Sequence, residues 1–169
     1  TKVIIGRECV VKEGHLLKGI GNKALIVTGR YSAKKNGALK DVVKALEAQN
    51  MAYCVFDEVE ENPSLETVEK AKNFGVAQGV DFVIGIGGGS PIDASKAIAV
   101  MLKHPELTGS TLIGTSLSSV PVIAVPTTAG TGTEVTQYAI VTDHQAKTKK
   151  NIGHTVFPQI AFVDAYYMN

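Results

Sequence analysis

The 169-residue sequence has no tryptophan, only 2 cysteines and almost no net charge, 17 Lys+Arg standing against 16 Asp+Glu. Each shortage excludes something. The near-neutral balance removes the domain-wide basic footprint that a nucleic-acid partner requires. Cys9 and Cys54 are too few and too far apart for a disulfide framework or a thiolate metal site. They suit a reducing, cytoplasmic setting. No apolar run approaches the roughly 18 residues of a membrane helix, so no membrane partner is expected. Lys2 to Lys12 lacks the apolar stretch of a secretory leader. At 44% hydrophobic and 20% charged, the chain can still fill one globular core. What it has in abundance is glycine, 17 residues, which suits loops where backbone comes close to a ligand.

Apolar runs alternate with helical patterns. Ala24 to Val27, Tyr53 to Phe56, Phe82 to Ile86 and Val122 to Val125 read as strands. Leu39, Val42, Val43 and Leu46 share one helical face. Asn62-Pro63-Ser64 predicts a turn and N-cap before a helix ending near Gln78. Ile92 to Leu102 is a helix so apolar that it should be largely buried. This alternation predicts a parallel α/β sheet flanked by helices, with right-handed crossovers. Val3-Ile4-Ile5 and Cys9-Val10-Val11 are expected to pair as a small hairpin, and Thr108 to Ser119 to form a loop. Tyr138 to Val141 and Ile160 to Val163 read as late strands. No repeat or linker divides the chain.

Gly87-Gly88-Gly89-Ser90-Pro91-Ile92-Asp93 stands where the third strand becomes a helix. Glycines there permit positive φ and leave backbone N–H groups open to an anion. Ser90 is expected to cap the helix, with Pro91 at its first position and Asp93 at its third. A phosphate or pyrophosphate is the natural guest of such a helix start. The usual dinucleotide fingerprint is not met, since Ser90 stands where its final glycine belongs. The second unusual stretch, Pro126 to Thr136, packs five threonines and two glycines into eleven residues. It follows the next strand, so both loops are expected side by side at the carboxyl edge, where open α/β sheets bind ligands.

Gly87-Gly88-Gly89-Ser90-Pro91-Ile92-Asp93-Ala94-Ser95-Lys96, followed by Pro126-Thr127-Thr128-Ala129-Gly130-Thr131-Gly132-Thr133-Glu134-Val135-Thr136, closely resembles the iron-containing (group III) alcohol dehydrogenases. The resemblance runs from about Val27 to the end, with Asn62-Pro63 before the motifs and Thr142-Asp143 after them. It implies a Rossmann-like α/β nucleotide-binding domain, here residues 1–169, and a separate C-terminal helical domain with the active site between the two. It implies that Gly88, Gly89 and Ser90 contact the cofactor pyrophosphate. Thr127, Thr128 and Thr131 would lie along the phosphates and the nicotinamide half, with Thr136, Tyr138 and Lys149 as further contacts. Asn62 matches an asparagine that approaches the adenosine end.

The resemblance also implies a divalent metal, Fe2+ or Zn2+, held by one Asp and three His of the helical domain. Asp164 matches an acid that precedes the metal-binding helix. The ligands are therefore expected to be absent here, and this domain alone is expected to be inactive. His15, His104, His144 and His154 are isolated in sequence and read as surface or packing residues. The partners implied are a small alcohol or aldehyde, the helical domain and, as an open assembly, a homodimer. Members that prefer NAD often carry Asp at the position matching Gly29. With Gly29 there, and Arg30, Ser32, Lys34 and Lys35 nearby, NADP is expected to be preferred, NAD remaining usable. Two rival readings are a cofactor domain of a dehydroquinate synthase-like metal lyase and a stand-alone nucleotide-binding module.

Overall fold

A computed structural model describes residues 1–114 and 117–168. Six strands form one all-parallel sheet: β1 (Lys2–Ile5), β2 (Lys23–Thr28), β3 (Ala52–Phe56), β4 (Phe82–Gly87), β5 (Val122–Pro126) and β8 (Ile160–Val163). Their order is β1-β8-β5-β4-β2-β3. The helices are α1 (Cys9–Lys12), α2 (Ser32–Lys35), α3 (Ala38–Ala48), α4 (Leu65–Gln78) and α5 (Gly89–Lys103). A separate antiparallel ribbon joins β6 (Ile140–Asp143) to β7 (Thr148–Asn151). Short 3-10 turns lie at Gly14–Leu17, Thr133–Val135 and Ala165–Met168. The fold is α/β, as the strand–helix alternation predicts.

The central strands are apolar on both faces because both faces are covered. Along β2, Leu25 and Val27 point to one core with Val68 and Ala71 of α4 and Ala97 to Met101 of α5. Ala24 and Ile26 point to the other, with Val42, Ala45 and Leu46 of α3 and Val10 of α1. The chain steps from β2 outward to β3, then back across β2 to β4 and on to β5. Right-handed crossovers place α3 on one face, and α4 and α5 on the other. That reversal makes the carboxyl ends of β2 and β4 the topological switch point, where a crevice opens.

Two segments differ from the sequence expectation. Val3 to Ile5 does not pair with Cys9 to Val11. It forms β1, parallel to β8, while Cys9–Lys12 is a helix with Cys9 and Val10 buried. A short apolar run carries no information about its partner, and the left-handed Glu8 (φ 59) turns the chain away before a hairpin can close. Late in the chain, the strand begins at Ile140 instead of Tyr138, and its partner β7, Thr-Lys-Lys-Asn, has no apolar pattern to betray it. Within the expected loop from Thr108 to Ser119, residues 115 and 116 lie outside the described residues; the rest is loop.

Gly85 in β4 lies against α5. A Cβ there would sit 3.0 Å from Ser95 Cβ and 3.3 Å from the Ile92 Cα. Neither neighbour can retreat, since Ser95 Oγ is held by the Pro91 carbonyl at 2.7 Å. Gly85→Ala is expected to destabilise the fold by about 1–3 kcal/mol through overpacking. Urea denaturation should show a lower midpoint at unchanged slope.

Candidate functional site

The site grows from the ends of β4 and β5. Gly87 has φ 145, open to glycine, and a Cβ there would strike the Pro91 ring at 2.7 Å. Gly88 is the N-cap and α5 begins at Gly89, with no side chain capping the helix. This corrects the expected start. Ser90 is not the cap, so Pro91 falls at the third helical position and Asp93 at the fifth. Ser90 Oγ instead accepts the Asn62 N–H at 3.2 Å. Pro91 still lies in the first turn, where a missing N–H costs nothing. The first amides of α5 keep no intrahelical partners, which leaves an anion-binding end open.

The threonine loop follows β5 and lies beside this helix end, tied at its base by Thr127 N–H to the Gly87 carbonyl at 2.8 Å. A Cβ on Gly88 would lie 3.2 Å from Thr128 Oγ1, and one on Gly89 3.0 Å from Thr131 Cγ2. These two glycines are therefore needed for contact between loops, not for φ. A cleft flanks the junction on either side. One, of about 400 Å³, is lined by Gly88, Thr127 and Thr128 with Ser32, Lys35 and Asn36 after β2. The other, of about 240 Å³, is lined by Gly89, Ser90 and Thr131 with Asn62, Thr142 and Lys149. Asn62 holds a left-handed backbone (φ 57), and its carbonyl accepts the Thr142 hydroxyl at 3.3 Å.

Three of the residues singled out by sequence stand apart from these clefts. Gly29 lies at the end of β2, where a Cβ would meet only the Val59 carbonyl at 3.4 Å. Thr136 and Tyr138 offer backbone carbonyls inward, and the Tyr138 ring is exposed. Of the basic residues near Gly29, Lys34 is engaged by Asp57 at 2.6 Å, a contact that draws the Asp57 carboxyl below its ordinary range. Lys35 lines the larger cleft.

Sequence reasoning assigned no role to Lys96 and Thr133. Lys96 is fully buried, yet donates to Thr133 Oγ1 at 2.8 Å and to the Thr136 and Tyr138 carbonyls at 2.7 and 2.8 Å. Thr133 in turn donates to Asp93 Oδ1, and Asp93 Oδ2 accepts the Ile140 N–H at 3.1 Å. Burial pulls the Lys96 pKa from 10.5 down to about 8, opposed by Asp93 and Glu134. Burial pushes the Asp93 carboxyl up, opposed by Thr133, the Ile140 amide and Lys96. The signal was a lysine inside the most apolar helix of the chain.

One of the four histidines has a buried structural role. His154 is buried, its Nε2 donating to the Leu112 carbonyl at 2.6 Å and its Nδ1 accepting from Leu117 N–H at 3.2 Å. Among the described residues, no three His, Cys, Asp or Glu side chains gather as a metal ion would require. No helix among them is long and apolar enough to cross a membrane. Burial raises both thiol pKa values, which makes Cys9 and Cys54 poor nucleophiles.

Comparison with known proteins bears on this geometry. A family model described as iron-containing alcohol dehydrogenase matches residues 1–165, a longer span than the motifs suggested. The long-chain primary alcohol dehydrogenase of Thermoanaerobacter ethanolicus is 37% identical over 155 residues, covering 89% of this chain and 39% of that protein. The lactaldehyde reductase of Escherichia coli K12 is 36% identical over 152 residues, covering 87% of this chain and 40% of that protein. A crystal structure of an iron-containing alcohol dehydrogenase from Thermotoga maritima superposes with a TM-score of 0.91 at 43% identity, over 99% of this chain and 47% of that one. The chain thus spans less than half the length of these relatives.

Lys96 makes stability depend on pH in a definite direction. Its folded pKa of about 8 lies below the ordinary 10.5. Between those values the unfolded chain holds a proton that the folded chain has released, so the contribution of Lys96 to stability rises with pH. Urea unfolding of the wild type should gain on Lys96→Met across that window, with a constant difference below it.

Proposed function

This chain belongs to the iron-containing alcohol dehydrogenase family, and we propose that its residues form the dinucleotide-binding domain of an enzyme interconverting alcohols with aldehydes or ketones. The observation that carries this reading is the junction of two loops after neighbouring strands, with a bare glycine backbone, an uncapped helix start and a cleft on either side. A dinucleotide pyrophosphate suits that junction. Gly88 and Gly89 present amides without a Cβ in the way, and Ser90 adds a hydroxyl. Thr127, Thr128 and Thr131 supply hydroxyls along the phosphates and the nicotinamide half. Asn62 and Lys149 approach the cofactor from the smaller cleft, and Gly29 faces the adenosine ribose. Thr136 and Tyr138, set apart from the two clefts, act through the backbone carbonyls they turn to Lys96.

When bound, the nicotinamide ring is the partner of the substrate carbon in hydride transfer. The residues of this chain bind that cofactor, orient it and fix the loop beside it. The Fe2+ or Zn2+ expected for such an enzyme does not fit the described residues, which bring no ligand cluster together. In this reading the metal is held by a separate helical domain. That domain docks on the carboxyl edge, where Val135, Tyr138 and Ile140 leave apolar surface exposed. The small alcohol or aldehyde binds between the two domains, and a homodimer remains compatible. Two free cysteines suit a reducing cytoplasm.

Two measurements test the cofactor assignment. Gly89→Val would thrust a branched side chain between the helix end and Thr131. It should weaken binding of nicotinamide dinucleotides by at least about tenfold, or about 1.4 kcal/mol, in calorimetry. Wild-type affinity in that variant would overturn the cradle. NADP should bind at least about tenfold tighter than NAD at low salt, because Arg30 and Lys35 can meet a 2′-phosphate that no carboxylate at Gly29 repels. The gap should narrow as salt screens those contacts. Gly29→Asp should reverse the order, since a Cβ fits there without a close clash. Equal affinities in the wild type would sink the NADP preference.

A further inference from the structure

Asp93 and Lys96 sit one turn apart on α5, a helix whose Ala94, Ala97, Ile98, Val100 and Met101 are buried apolar residues. Both reach the threonine loop. Thr133 spends its hydroxyl hydrogen on Asp93, so its oxygen is free to accept from Lys96. The Thr136 and Tyr138 carbonyls can only accept. Three acceptors thus converge on one nitrogen, and only an ammonium has three hydrogens to give. A neutral amine leaves one of the three unpartnered.

These contacts are nearly all that hold the loop. Among the described residues, hydrogen bonds from Thr128 through Tyr138 to the rest of the chain run to Asp93 and Lys96. The one exception joins Val156 N–H to the Gln137 carbonyl at a long 3.5 Å. The threonines of the ligand-facing arm, Thr128 and Thr131, lie beside Gly88 and Gly89, where an added Cβ would meet them at 3.2 and 3.0 Å. Plain packing of α5 would be served by a Met or Leu, without the several kcal/mol that burying a charge entails.

We propose that Lys96 is a positioning residue that clamps the threonine loop onto the start of α5, setting the loop geometry in which the dinucleotide binds. This rests on the reading that the junction takes a nicotinamide dinucleotide. The charged groups facing Lys96 are Asp93 from its own helix and Glu134 from the loop, and both hold the proton on against burial. Below about pH 8 the amine carries its third hydrogen, and each of the three loop oxygens has a partner.

The test uses the 169-residue chain with NADP+ and NAD+ as probes, read by calorimetry and by amide hydrogen exchange. Lys96→Met should bind at least about tenfold more weakly at neutral pH. Amides of residues 128–138 should lose protection while those of β4 and β5 keep it. Thr133→Val should weaken binding, and Thr133→Ser, which restores the hydroxyl, should recover it. A folded Lys96→Met with wild-type affinity and loop protection overturns the clamp. If Lys96→Met does not fold, equal affinities of Thr133→Val and Thr133→Ser overturn it. A wild type that binds neither cofactor overturns the cofactor reading instead, and loop protection that is indifferent to Lys96 then overturns the clamp separately.

Discussion

At the carboxyl edge of the sheet, the start of α5 and the threonine loop approach so closely that Thr128 and Thr131 fill the space where Gly88 and Gly89 would carry side chains. That contact depends on the strands beneath. β4 and β5 are neighbours in register, Gly87 opposite Pro126, so the two loops leave the sheet at the same level. Gly87 then turns the chain with a backbone conformation closed to bulkier residues, and Pro91 stacks over it. A Cβ at Gly88 or Gly89 would press on Thr128 or Thr131, and a larger side chain at Gly89 would have to push Thr131 aside.

The smaller cleft is assembled from parts far apart in sequence. The β6–β7 ribbon is clipped to the start of α4, where the Thr142 N–H donates to the Pro63 carbonyl at 2.8 Å. It is clipped to α5 by the Asp93 carboxylate on the Ile140 amide. Ser64 caps α4 by accepting the Thr67 N–H, two residues after the Asn62 turn. Asn62 N–H then reaches across to Ser90. Local capping, a ribbon and a helix start are thereby locked to one another by a few polar contacts around a small opening.

The sheet behind this edge explains its rigidity. β2, β4 and β5 are buried on both faces, so their ends cannot shift without disturbing two cores at once. The threonine loop, by contrast, is anchored by hydrogen bonds from polar side chains of α5. A buried lysine and a half-buried aspartate carry a desolvation penalty, visible in the opposed shifts of their pKa values. The penalty is offset by hydrogen bonds that only this loop position provides.

By itself the sequence determined the parallel α/β class, the four central strands to within a residue at each end, and the two loops that carry its chemistry. Those features rest on hydrophobic period, on capping residues such as Ser64, and on glycine and threonine content, all of which are local. Tertiary structure decided the rest. Val3 to Ile5 found β8 because strand pairing over that separation is set by the whole sheet, not by the run itself. The polar strand β7 exists because β6 gives it a partner. Ser90 gave up the cap to Gly88 because Asn62, distant in sequence, competes for its hydroxyl. Lys96 could be read only as an oddity on an apolar helix, since the three oxygens that explain it come from a loop some forty residues on. Burial and partnership are properties of the folded chain, and no local pattern encodes them.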